Sequence, residues 1–87
     1  MTRAEFLGKL LMAETLRRAG ERAEYWSGYK RGLRRRFHGE RFGTAAEHEK
    51  WMGLADDEDE SRRERGQGYR DGFNAAAETL AQKKGAG

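Results

Sequence analysis

Apolar residues recur through the first half of the chain at Phe6, Leu10, Ala13, Leu16, Ala19, Ala23, Trp26, Tyr29, Leu33 and Phe37. Every step is three or four, the repeat of one face of an α-helix. Gly20 falls inside this run. A glycine in a helix interior costs about 1 kcal/mol relative to alanine, so the spacing predicts a helix that bends or breaks near Gly20. Three helix starts carry the capping-box signature of a Ser or Thr followed three residues later by Glu: Thr2 with Glu5, Thr44 with Glu47, and Ser61 with Glu64. Gly39 and Gly43 bracket a turn. A short helix is then expected from Ala45 to about Leu54, with Ala46, Trp51 and Leu54 inward and Gly53 weakening its end. The acidic run from Asp56 to Glu60 reads as a loop or a first helical turn, where negative charge offsets the helix dipole. The last helix is expected from Ser61 to about Gln82, favoured at its end by Lys83 and Lys84. No segment alternates convincingly as a strand. The pattern predicts an all-α fold of three to four helices, one domain over residues 1–84, with a frayed tail at 85–87.

The chain also resembles itself. At an offset of forty, Arg22 falls on Arg62, Glu24 on Glu64, Gly28 on Gly68, Tyr29 on Tyr69, Lys30 on Arg70, Gly32 on Gly72 and Leu33 on Phe73. Two glycines four residues apart lie on one side of a helix and open a notch through which another backbone can approach, a device best known from membrane helices. Interior glycine in water needs such a reason. The frames predict two helices crossing closely at Gly28, Gly32, Gly68 and Gly72, with Tyr29, Tyr69, Leu33 and Phe73 packed around the crossing. A homodimer built on the same notches is the rival arrangement. Loop glycines repeated by chance are the plain alternative.

Composition narrows the chemistry. Eighty-seven residues support one thin domain. Cysteine is absent, which removes disulfides, a thiol nucleophile and Cys-type zinc sites. The default setting is then cytoplasmic. No apolar run approaches a bilayer span, so no membrane partner is expected. Residues 1–43 hold eleven Lys/Arg against five Asp/Glu, and residues 44–87 hold seven against ten. The basic front is densest at Lys30, Arg31, Arg34, Arg35, Arg36 and Arg41. Such a cluster can bind phosphates, and Tyr25, Trp26 and Tyr29 nearby could stack on bases. The plain alternative is a solvated face whose arginines pair with Asp56 to Glu60.

Other chemistry finds little footing. His38 and His48 with Glu40, Glu47 and Glu49 could be read as metal ligands. However, the H-x-E of His38-Gly39-Glu40 lacks the cysteine pair of zinc deaminases, and Glu47, His48 and Glu49 would point in different directions from a helix. Ordinary polar surface is the expectation, with no metal and no cofactor. The acidic run lacks calcium-loop spacing. Ser27 and Ser61 sit in no nucleophile motif, and no phosphate loop is present. The chain is expected not to be an enzyme.

The doubled Gly-aromatic-x-x-small frame resembles the ribosome modulation factor family over roughly residues 22–77. Gly28, Tyr29 and Gly32 match the family's first frame. Gly68, Tyr69 and Gly72 match its second, where the aromatic is usually tryptophan. The resemblance implies a small, basic, helical protein that binds ribosomes. This chain lacks the family's Cys-Pro-Tyr segment, has a longer connection with an extra helix, and adds an N-terminal helix. It is also similar in style to small proteins of bacterial and phage genomes. The leading expectation is therefore a binding module that engages RNA or a ribonucleoprotein through the basic face. The alternative is a small regulatory or inhibitory protein that binds a protein partner, anchored by Trp26 or Trp51.

Overall fold

In the computed structural model, which describes the backbone of residues 1–86 and the side chains of residues 1–75, the first helix begins with both halves of its capping box. Thr2 Oγ1 accepts from the Glu5 amide at 3.1 Å, and Glu5 Oε1 accepts from the Thr2 amide at 3.2 Å. This helix, α1 (Arg3–Arg18), is followed by α2 (Ala23–His38), α3 (Ala45–Gly53) and α4 (Glu60–Ala86). Short 3-10 turns at Gly39–Arg41 and Leu54–Asp56 flank α3. The protein is an all-α bundle, and no strand occurs among the described residues. The expected frayed tail, residues 85–87, reaches outside the described residues, as do the side chains of Lys83 and Lys84.

The break near Gly20 is real and sharp. Gly20 has φ of +86° and Arg22 has φ of +53°. Glycine enters that region freely, whereas arginine there is strained by about 1–2 kcal/mol. Two contacts of the Arg22 guanidinium offset the strain. It lies 4.0 Å over the Tyr25 ring and 3.1 Å from Glu64.

Two capping expectations need correction. Thr44 caps α3 by accepting from the Glu47 amide at 3.1 Å, but Glu47 does not return the bond to the Thr44 backbone. The last helix is capped by Asp59 and not by Ser61. Asp59 Oδ2 accepts from the Arg62 amide at 2.9 Å. Asp57 in turn accepts from the Asp59 amide at 2.8 Å. Aspartate caps at least as well as serine, and the acidic run offers the first cap the chain meets. Ala46 is exposed, against expectation, while Ala55 is buried in its place.

The two glycine frames face each other within one chain. A Cβ on Gly28 would lie 1.9 Å from the Arg65 carbonyl oxygen, and one on Gly68 would lie 1.9 Å from that of Tyr25. A Cβ on Gly32 would lie 2.1 Å from the Tyr69 oxygen, and one on Gly72 would lie 2.1 Å from that of Tyr29. These pairs obey the same offset of forty as the sequence, so a pseudo-twofold relates α2 to α4. The partners advance together along both helices, so α2 and α4 run parallel. A parallel pair cannot be joined by a tight turn. Residues 39–59 must carry the chain back along the length of α2, about 24 Å for sixteen residues. The segment containing α3 is that return path.

The return path docks on a third close approach. A Cβ on Gly66 would lie 2.1 Å from the Ala55 nitrogen. Its repeat counterpart on α2 is Trp26, so only α4 offers the crossover a seat. On the other side α1 completes the core. Phe6 and Ala13 bury against Tyr29, Leu33 and Ala75, and Phe6 stacks on Phe37 with centroids 4.2 Å apart.

Glu14 pins α1 to α2. Its carboxylate pairs with Arg17 at 2.6 Å, with Arg18 at 3.3 Å, and with Lys30 of α2. Hydrogen bonds from Arg17 and then Lys30 hold this carboxyl well below its ordinary value of 4.5. A carboxyl depressed in the folded chain contributes stability that is fully present above its unfolded value and is lost as pH falls toward the folded one. The melting temperature is therefore expected to fall on acidification below about pH 4.5. Glu14→Gln is expected to lower it at neutral pH and to flatten that acid limb. An acid limb unchanged by the substitution, in melts across the range, would show that the pin lies elsewhere.

Candidate nucleic-acid interface

Helical spacing sorts the basic cluster into two sides of α2. Arg31, Arg34 and Arg35 fall together at i, i+3 and i+4, whereas Arg36 points away from them. Arg36 belongs to the crossing with α4. It donates to the Phe73 carbonyl oxygen at 2.8 Å, and its guanidinium lies 4.0 Å over the Phe73 ring. Lys30 is half-buried and committed to Glu14. Both side chains are engaged within the fold, although Arg36 remains exposed. The acidic run does not neutralise the cluster. Among the described residues Asp56 pairs with Arg70 at 3.1 Å, and Asp57 and Asp59 serve as caps.

The side of α2 that carries Arg31 meets the crossover. The Arg31 guanidinium lies 4.7 Å over the Trp51 ring and 5.4 Å from the Phe42 centroid, with Glu47 at 3.8 Å. Trp51 itself stacks on Tyr69 with centroids 5.5 Å apart. Beyond Trp51 a groove of about 350 Å³ opens between α3 and α4, lined by Lys50, Trp51, Leu54, Arg62 and Arg65. Arg65 is paired with Glu24 of α2. Lys50, Arg62 and Arg41 are exposed and Arg34 is half-buried, and none of the four has an ion-pair partner among the described residues. The groove thus joins an aromatic side chain to two uncommitted cations, Lys50 and Arg62.

The other aromatic candidates lie elsewhere. Tyr29 is buried in the core. Trp26 is half-buried against that core, with its ring 4.9 Å from Tyr25 and 5.2 Å from Tyr29. The Tyr25 hydroxyl donates to Asp71, and burial followed by that bond pushes its pKa up. Of the two tryptophans, Trp51 is the one that joins the basic surface. Lys50 and Arg62 carry no signal for this surface in the sequence, because Lys50 stands beside Glu49 and Arg62 lies in the mixed-charge run from Glu60 to Arg65. Their proximity to Trp51 depends on the path of the crossover.

Arg35 closes the inner edge of this surface. Its Nε is buried without a hydrogen-bond partner among the described residues. Burial, and then the Arg35 charge, hold the pKa of His48 below its ordinary value. A neutral imidazole suits its setting, with Nδ1 2.8 Å from the Tyr69 hydroxyl and the ring 4.5 Å from Phe73. His38 instead packs edge-on against Phe6 and Phe37. The two histidines therefore lie in separate aromatic settings, and no group of three metal-ligating side chains occurs among the described residues.

Comparison of the chain with protein-family models, with curated proteins and with solved structures finds no match. Among the described residues, no helix is long and apolar enough to cross a membrane.

Proposed function

We propose that this protein is a non-enzymatic helical module that binds single-stranded RNA, or the exposed RNA of a ribonucleoprotein. The observation that carries the reading is Trp51. Its indole lies under Arg31 and lines a groove bordered by Lys50 and Arg62. With Arg31 over it and Tyr69 stacked on it, the indole borders the groove rather than offering an open stacking face. The unpaired Lys50 and Arg62 beside it fit the phosphate of an unpaired nucleotide whose base lies along the indole. Arg34 and Arg41, also without ion-pair partners among the described residues, supply two further cations for the backbone. The resemblance of the doubled glycine frame to the ribosome modulation factor family points toward the same class of partner.

The test is titration of the whole chain with a fluorescent single-stranded RNA at several salt concentrations. Each phosphate neutralised adds about −0.7 to the slope of log affinity against log salt. Four cations should give a slope of roughly −3. Lys50→Glu with Arg62→Glu is expected to weaken binding at least about tenfold and to reduce the slope, while leaving the melt unchanged because both side chains are exposed. Binding that ignores both salt and the double substitution would sink the proposal.

A further inference from the structure

The outward side of α1 carries no charge through its middle. Ala4, Leu7, Gly8, Leu11, Met12 and Thr15 are all exposed and share one side by helical spacing. Charged residues make up 38% of the chain, yet none falls in this strip. Leu7 is 49% exposed, Leu11 69% and Met12 44%. The Thr15 hydroxyl donates to the Leu11 carbonyl oxygen at 2.9 Å, so its hydrogen-bonding need is met within the helix.

Gly8 sits in the centre of the strip, and the fold gives no reason for it. A Cβ on Gly8 would meet nothing within 4 Å. Gly28, Gly32, Gly66, Gly68 and Gly72 would each drive a Cβ to within 2.1 Å of backbone. Five helical glycines thus serve close approaches inside the molecule. Gly8 has the same form, a notch in mid-helix beside large apolar residues, with nothing yet seated in it.

The rim of the strip is positive at its ends, and Glu5, the acid nearest its first turn, is engaged in the helix cap. Arg3 and Arg18 stand at its two ends. Arg3 and Lys9 have no ion-pair partner among the described residues, and the Glu14 carboxylate is already shared by three cations.

We propose that this side of α1 is a docking surface for an amphipathic helix of a partner protein, seated over Gly8 between Leu7, Leu11 and Met12. The partner helix carries acidic residues beyond the ends of its apolar stripe, opposite Arg3 and Arg18. Charge complementarity selects this occupant. A second copy laid antiparallel would set Arg3 against Arg18 at both ends, and a parallel one would set each against itself. A bilayer gains nothing from a notch, and the strip has none of the aromatic residues that amphipathic membrane helices favour. The surface is separate from the Trp51 groove and does not depend on the RNA reading.

A photoreactive residue placed at Met12 of the full chain, in cells of its native host, tests this. The expected product is an adduct with one protein, mapped to a peptide whose apolar residues recur every three or four positions between acidic flanks. Leu11→Glu and Gly8→Leu should each reduce that adduct at least about tenfold, the first by setting a charge in an apolar contact and the second by filling the notch. Both should leave the melting temperature of the isolated chain unchanged or raised, because neither site is packed. Arg3→Glu should also reduce the adduct, whereas it would strengthen antiparallel self-pairing. The proposal is overturned by an adduct of the chain with itself, with lipid or with RNA, by a peptide lacking acidic flanks, by indifference to the substitutions, or by no adduct.

Discussion

Gly32→Ala and Gly72→Ala are each expected to destabilise the protein by about 3 kcal/mol, the upper end of the cost of overpacking a core, and the corresponding leucines are expected to unfold it. The new Cβ would lie 2.1 Å from a carbonyl oxygen of the facing helix in each case. A flexible side chain could swing aside, but a backbone carbonyl engaged in its own helix cannot. The helices would have to separate, and the contacts of Tyr29, Leu33 and Tyr69 would open with them. The sign of the effect is diagnostic. Helix propensity alone makes Gly→Ala stabilising by about 1 kcal/mol. That gain is expected at Gly8, where a Cβ meets nothing. Native stability of roughly 0.05–0.15 kcal/mol per residue leaves a chain of this size little reserve. Urea unfolding followed by circular dichroism decides the matter. If the alanine variants at 32 and 72 unfold with the parent, α2 and α4 do not cross at these notches.

The second large effect is expected at Tyr69. Its side chain is 2% exposed, stacks on Trp51, meets His48 at its hydroxyl, and belongs to the residue whose carbonyl fills the Gly32 notch. It therefore joins α2, the crossover and α4. Tyr69→Ala should cost about 3–5 kcal/mol, as for other large aromatics removed from cores. Tyr69→Phe keeps the ring and loses one hydrogen bond, for about 1 kcal/mol. Equal losses for the two variants would mean that the hydroxyl bond, and not the ring, holds this part of the core. The two unfolding midpoints, measured side by side, distinguish these cases.

What could be read from the sequence was local or periodic. The Thr2 cap, the break at Gly20 and the pairing of the two glycine frames follow from spacing within one helix or from the chain's likeness to itself. What escaped was whatever depended on the route between helices. Gly66 is as closely packed as Gly28, but its repeat counterpart is Trp26, so self-alignment hid it. The cap at Asp59 lay in an acidic run with several competing candidates. Helical spacing separates Arg36 from Arg34 and Arg35, but that its side meets Phe73 of α4 followed only from the packing of the two helices. The candidate interface was half legible. Arg31 and Trp51 were both singled out, one for RNA and one for a protein partner. Only the course of residues 39–59 brings the two together and adds Lys50 and Arg62.

That course has a further consequence. Two parallel helices bearing the same notch are what two separate chains would bring to a symmetric dimer. Here residues 39–59 act as a tether between them. A short tether holds its ends at an effective concentration on the order of millimolar, far above the concentrations at which most proteins circulate in cells. An association that would otherwise be second order becomes first order, and dilution does not undo it. The crossover thus determines the molecularity of the fold, making a closed single chain from an interface whose symmetry belongs to a pair.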